Sequence, residues 1–242
     1  MNHEDVICAI LAGGEGKRLR PILKDKLPKC LAPIVGKPFL QYQIEHLRRK
    51  GFKKFLLCVG KMASKIEKVM GDGRRLGVEI IYSRESKPLG TAGAIKNAAP
   101  YLKKVFLVVN GDTYLNIDYK LFLKYHLKKR SKLSVAVTRR SESESYGVVS
   151  LDSKNRIMAF SGDGATIEGG YVSGGAYIVD PLTLNFIPKH SFISLEQEVI
   201  PEFINSGIGC YGYIFKGRFY DIGTPDRYAI FKKFLRKEDY DI

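Results

Sequence analysis

The chain has 242 residues, 45% of them hydrophobic, with 40 Lys and Arg against 25 Asp and Glu, a formal net charge of +15. That length and apolar content can bury one large core, and no low-complexity tract or linker interrupts it, which excludes a disordered or modular chain. The charge asks for acidic partners: nucleotides, sugar phosphates, nucleic acid or an anionic membrane.

Residues 6–11, VICAIL, have the length and β-branched content of a buried parallel strand. The strand breaks into a glycine-rich, basic loop. Gly13, Gly14 and Gly16 remove the side chains that would keep backbone N–H groups from an anion, and Arg18, Arg20 and Lys29 bring neutralising charge. The combination reads as a phosphate site, with a tight turn and a solvated basic flank as the plainer account. Neither common nucleotide loop fits. Gly16-Lys17 is followed by Arg18 where a P-loop needs Ser or Thr, and Pro21, Pro28 and Pro33 follow where a dinucleotide fingerprint would enter a helix. The loop is long and irregular, suited to wrapping a nucleotide.

Helices are predicted over 39–50, 63–70, 91–98 and 119–129, with Pro38 suited to the first position of the first of them. Strands are predicted over 55–59, 78–82, 105–110 and 133–138. Such alternation means an α/β, Rossmann-like, mainly parallel sheet flanked by helices, with ligands beyond the carboxyl ends of the strands. Gly13, Glu85 and Asp112 fall at such ends. From Tyr146 onward short strands with glycine turns give a smaller mixed-sheet region, with helices over 195–205 and 225–236.

The apolar runs at 55–59 and 105–109 are far too short to span a bilayer, and Glu4 and Asp5 do not suit the start of a signal peptide, so the expected location is cytoplasmic with no membrane partner. Cys8, Cys30, Cys58 and Cys210 form no CxxC pair and read as buried reduced thiols. The dense basic runs Lys128-Lys129-Arg130 and Arg236-Lys237 sit at predicted helix ends, where cations favour the dipole, and no RNA-binding or helix-turn-helix pattern accompanies them. Nucleic acid is therefore not expected as a partner. His46 and His126 fall in predicted helices, where packing or surface roles are expected.

Residues Leu11 to Pro21 and Pro28 to Pro38 closely match LAxGxGxRLxP and PKxLxPIxGKP, the opening signature of the sugar-1-phosphate nucleotidyltransferases, and the chain resembles that family along nearly its whole length. Further matching blocks follow in family order: Pro88-Leu89-Gly90-Thr91-Ala92-Gly93, Asn110-Gly111-Asp112-Thr113, Tyr146-Gly147-Val148, Gly174-Gly175-Ala176-Tyr177 and Asp221-Ile222-Gly223-Thr224-Pro225. Among subgroups, the short length and GRFYDIGTPDRY look most like the D-glycero-α-D-manno-heptose 1-phosphate guanylyltransferases. The resemblance implies the nucleotide-diphospho-sugar transferase type of fold. It also implies a single domain, 1–242, with a nucleotide-binding half over 1–140 and a sugar-phosphate-binding half over 141–242.

The implied reaction is attack by a sugar 1-phosphate oxygen on the α-phosphorus of a nucleoside triphosphate, with pyrophosphate leaving. That oxygen is already ionised at neutral pH, so catalysis reduces to aligning two polyanions and neutralising charge. Arg18 can clamp the leaving phosphates bidentately, and Lys29 is a compact charge for the α-phosphate or the sugar phosphate. Asp112 and Asp221 end apolar stretches, and two separated carboxylates suit Mg2+, which takes the rest of its octahedron from phosphate oxygens and water. In the family the matching aspartates bind the metal; outside it, a turn residue and a helix-entry residue would account for them.

Nucleotide recognition is assigned to Leu11, Ala12, Gly13, Gly14, Glu85, Gly90 and Thr91, with the N–H groups of Gly90 and Thr91 facing outward at a helix start and Glu85 able to accept from guanine. Simple capping by Thr91 and a surface place for Glu85 are the plainer accounts. Sugar-phosphate recognition falls to Gly147, Gly174, Gly175, Glu196 and Arg218. Many relatives carry FxEK, whose Glu and Lys bind sugar hydroxyl and phosphate, where this chain reads Phe160-Ser161-Gly162-Asp163. Lys216 or Arg218 is the expected replacement cation. The usual Asn before GGxY is also Ser173. Base, sugar and oligomeric state, self-association included, stay open. The alternatives to a guanylyltransferase are a UTP- or dTTP-dependent enzyme and a non-catalytic binder of the same fold.

Overall fold

The computed structural model describes residues 3–14, 16–24, 26–139, 147–161 and 170–237. Its first half follows the predicted alternation. β1 (Ile7–Leu11), β4 (Lys54–Val59), β5 (Glu79–Arg84) and β6 (Phe106–Asn110) form a parallel set in the order β6-β1-β4-β5. Between them run α1 (Arg20–Leu23), the small ladder of β2 (Pro33–Ile34) and β3 (Lys37–Pro38), α2 (Phe39–Arg49), α3 (Ala63–Met70) and α4 (Gly90–Asn97). Pro38 stands as the N-cap of α2 rather than inside its first turn, because its extended backbone also closes the β2–β3 ladder.

Strand residues bury alternately on the two faces, as a pleated sheet requires. Cys8, Ile10, Leu107 and Val109 join α2, α3 and α5 (Tyr119–Lys129) in one core. Ala9, Phe106 and Val108 join α4 and α6 (Ile200–Asn205) in the other. A third cluster sets α7 (Pro225–Lys237) against α1 and α2, with Phe231 in edge contact with Phe39 at 5.3 Å between ring centroids.

The mixed region grows from the edge of this same sheet. β11 (Tyr171–Val179) runs antiparallel to β6, to β8 (Leu133–Arg139) and to β9 (Val148–Leu151), while β10 (Ile157–Ser161) pairs β9 and β12 (Cys210–Ile214) pairs β8. The helix predicted over 195–205 opens as a wide π turn, Leu195–Val199, before α6. β7 (Thr113–Leu115) and β13 (Phe219–Asp221) form a separate ladder just beyond β6.

Along one flank, β11 changes partner. Residues Ala176 to Val179 pair with β6, and Tyr171 and Val172 pair with β9. The register against β8 shifts between Ser173 and Tyr177, where Gly175 has φ +67, a conformation open to glycine at little cost. Where two strands part from one, a gap opens at the carboxyl end of β6.

All four cysteines are buried free thiols, and burial pushes each thiol pKa upward. His46 and His126 are buried: Leu115 O lies 3.0 Å from His46 Nε2, and Ser134 Oγ lies 2.9 Å from His126 Nδ1. Burial lowers both imidazoles from 6.5 to about 4. The unfolded chain therefore binds more protons than the folded one between those values, and stability falls as pH drops through that window. The urea midpoint should decline from pH 6.5 towards pH 4, and less so in a His46→Asn, His126→Asn double variant. An equal decline in both proteins would show that these rings are not held neutral.

Candidate active site at the strand ends

Two cavities open at the carboxyl ends of the parallel strands. The larger, about 1050 Å³, is lined by the β1 loop, by residues after β5 and by the first turn of α4. The smaller, about 240 Å³, occupies the gap beside β11. They meet at Arg18, Asn110 and Asp112, which line both.

Leu11, Ala12, Gly13 and Gly14 lie on the wall of the large cavity, as do Glu85, Gly90 and Thr91. Gly13 lets the backbone approach Glu85 closely, since a methyl group on it would come within 2.8 Å of Glu85 Oε1 and displace that carboxylate. Glu85 is half-buried rather than on the outer surface, and desolvation raises its pKa although the Leu89 N–H bonds to it. Its carboxylate is thus held inside the cavity, where burial makes a hydrogen-bonding partner valuable.

Lys29 and Asp112 form an ion pair at the junction, with side chains 14% and 29% exposed. A short 3-10 turn, Lys29–Leu31, presents the lysine, and Asp112 follows β6 with Gly111 between them. Asp221, at the end of β13, is 8% exposed. It accepts from the Gly223 N–H at 2.6 Å through Oδ1 and from Arg227 Nη1 at 2.9 Å through Oδ2. A methyl group on Gly223 would meet Asp221 Oδ1 at 2.6 Å, Lys29 Nζ at 3.4 Å and Arg18 Nη2 at 3.6 Å. The tertiary fold has therefore gathered two carboxylates and two cations from three distant segments, the loop after β1, the end of β6 and the end of β13, around one backbone turn.

These donors suit Mg2+ and not a protein-caged metal. Among the described residues no three His, Cys, Asp or Glu side chains cluster as a metal site, whereas Asp112 and Asp221 line one cavity together. Magnesium is content with two carboxylates when phosphate oxygens and water complete its shell.

Gly147, Gly175 and Glu196 line the smaller cavity. Gly174 does not. A side chain on it would meet the Phe215 ring at 3.0 Å, so it serves core packing. Arg218 and Lys216 are also absent from both walls. Arg218 is exposed, with its guanidinium 5.4 Å from the Phe234 ring centre, because the β7–β13 ladder turns that segment outward onto α7. Among the described residues the cations lining the smaller cavity are Arg18 and Arg227, and Arg227 belongs to the first turn of α7 beside Asp221. Gly162 and Asp163 lie outside the described residues.

Asn110, whose buried Oδ1 has no hydrogen-bond partner among the described residues, and Tyr177 stand in the matching blocks with no role assigned to them, and Ser194 and Phe192 carry no signal in the chain, yet all four line the cavities. The spacing of Arg227 from Asp221, within the DIGTPDRY run, was the available signal for the arginine. Nothing local marks Phe192.

The nucleotidyl transferase family model matches residues 7–238. The chain is 36% identical to a D-glycero-α-D-manno-heptose 1-phosphate guanylyltransferase of Aneurinibacillus thermoaerophilus, over 94% of this chain and 97% of that one. It is 30% identical to a mannose-1-phosphate guanylyltransferase of Mycobacterium tuberculosis, over 95% of this chain and 64% of the other. Among solved structures, HddC from Yersinia pseudotuberculosis complexed with GMP-PN superposes with a TM-score of 0.83 at 30% identity, covering 95% of this chain and 99% of that one.

Proposed function

The chain belongs to the nucleotidyl transferase family, and from that premise we propose that it is a guanylyltransferase, joining GTP to a manno-configured heptose or hexose 1-phosphate and releasing pyrophosphate. The enzyme class is sugar-1-phosphate nucleotidyltransferase. One observation carries the reading: a nucleotide-sized cavity and a sugar-sized cavity meet at Arg18, Asn110 and Asp112, so two polyanions entering from either side must face each other there.

The triphosphate lies along the Gly13-Gly14 loop, with its leaving groups towards Arg18. Lys29 stands where the attacking and transferred phosphates approach. Its ammonium offsets their repulsion, and pre-set charge of this kind is the main catalytic resource of phosphoryl-type transfer. Mg2+ would be held by Asp112 and Asp221 and would supply further charge neutralisation at the phosphates. Arg227 holds Asp221 in its orientation by donating to Oδ2. Glu85 faces the base and accepts from guanine N1–H and N2–H₂. Glu196 accepts from sugar hydroxyls. The four buried thiols support a reducing cytoplasmic setting, and the product is an activated sugar of the kind used to build polysaccharide. Among the described residues no helix is long and apolar enough to cross a membrane.

Initial rates of pyrophosphate release test this, with GTP, UTP, dTTP, CTP and ATP each paired with heptose, mannose, glucose and N-acetylated sugar 1-phosphates. GTP with heptose or mannose 1-phosphate should be fastest. Other bases leave the half-buried Glu85 carboxylate unpaired, which costs about 1–3 kcal/mol, a factor of about 5 to 150. A preference for UTP or dTTP would remove the guanylyl assignment and keep the enzyme class. Nucleotide binding without turnover on any pair would favour a non-catalytic binder.

A further inference from the structure

Thr91 lines the nucleotide cavity, yet its hydroxyl is committed to the acceptor side. It accepts from the Leu195 N–H at 2.7 Å and gives its single proton to Glu196 Oε2, also at 2.7 Å. The segment carrying Glu196 is strapped to the same helix by its backbone. The Ile193 N–H donates to Leu89 O at 2.8 Å, and Ile193 O accepts from the Ala92 and Gly93 N–H groups at 3.0 and 3.3 Å. A side chain on Gly90 would collide with that carbonyl, so the helix start and the strap are fitted to each other.

Glu196 in turn accepts from three hydroxyls: Thr91, Tyr177 at 2.9 Å and Ser194 at 3.2 Å. Hydroxyl donors aim a carboxylate without neutralising it, so its charge stays available on the acceptor wall. Thr91 is the one donor of the three that comes from the nucleotide wall and not from the acceptor wall or the strap. Without it, nothing from α4 would set the carboxylate's rotation.

We propose that Thr91 is a positioning residue for the sugar phosphate: from the nucleotide wall, its hydroxyl holds Glu196 in the orientation that reads the acceptor. This rests on the two-substrate transfer proposed above. It also gives Thr91 a different part from direct nucleotide contact, which its place in the GTAG run suggested.

The test uses Thr91→Val, which keeps the shape and removes the hydroxyl, and Thr91→Ser, which keeps the hydroxyl, each assayed with the fastest substrate pair of the wild type. Thr91→Val should raise KM for the sugar 1-phosphate about tenfold, the size of one lost charge-assisted hydrogen bond, and leave KM for the nucleotide within about twofold. Thr91→Ser should restore both values to within about twofold of wild type, since the donor returns. In a Glu196→Gln background, Thr91→Val should add little, because the two side chains act as one unit. Should Thr91→Val fail to fold, Thr91→Cys keeps the volume with only a weak donor and must show the same one-sided change, about threefold. A larger rise in nucleotide KM than in sugar KM, unchanged KM values, or full additivity with Glu196→Gln would each overturn the assignment. No turnover by the wild type with any pair would instead remove the transfer reaction itself, whatever Thr91 does.

Discussion

Pyrophosphate release should fall by about a hundredfold or more when Asp112 is replaced with Asn, with the thermal midpoint hardly moved. The side chain stands beyond the end of β6, partly exposed, pairing with Lys29 and accepting from the Thr113 hydroxyl at 3.4 Å, a bond that an asparagine oxygen can also accept. The local structure depends on the backbone, whose Asp112 carbonyl accepts from the Ile222 N–H at 3.0 Å, and asparagine preserves that bond. Only charge is lost. The sign of the effect is informative, because two carboxylates placed where two polyanions must meet would by themselves repel substrate. If Asp112 were merely the counter-ion of Lys29, its neutralisation would leave a stronger cation in the cleft, and rate or nucleotide affinity would hold or rise. A severe loss fits only a carboxylate that works through a cation brought with the phosphates. Turnover near the wild-type rate in the folded variant would remove Asp112 from the catalytic set and Mg2+ from its proposed place.

The second large effect separates a placed ammonium from general basicity. Lys29→Met should reduce turnover about a hundredfold, because pre-set charge in a site shielded from water acts at nearly full strength. Lys37→Met should stay within about twofold, since that lysine pairs with Glu45 outside both cavities and no reacting phosphate comes near its ammonium. Both variants lose one positive charge, so the long-range field of the chain changes equally. Their surroundings differ. Lys29 stands beside Asp112 and near Arg18 and Asp221 at the cavity junction, while Lys37 Nζ lies 3.3 Å from Glu45 Oε2 and 5.7 Å from the centre of the Tyr42 ring, away from both cavities. Matching losses in the two variants, measured at the same ionic strength, would mean that the overall field and not a positioned group drives the reaction.

Much of the nucleotide side was legible in the chain because the information there is local. A buried strand announces itself by apolar continuity, and the residue that follows it must emerge at the sheet's carboxyl edge, so Gly13, Glu85 and Asp112 could be placed without coordinates. The helices predicted over 63–70 and 119–129 have those bounds in the structure, because helix ends are set by residues within a turn or two of each other. The acceptor side was less legible. Glu196 lines its cavity as its sequence position suggested, but Arg218 turned outward and Arg227 turned in, a choice made by the pairing of β13 with β7.

What the amino-acid sequence determined by itself was the order of strands and helices, the glycine-rich basic loop after β1 and the identity of the charged groups available, because each depends on residues within a turn or two of one another. What only the tertiary structure decided was which of those groups meet. The change of partner along β11 opens the acceptor cavity, the β7–β13 ladder brings Asp221 and Arg227 to Asp112 and Lys29, and the strap on α4 brings Glu196 to Thr91 across 105 positions of chain. No local pattern encodes such contacts: they are set by how far-separated apolar faces pack, and the polar residues are carried to one another by that packing.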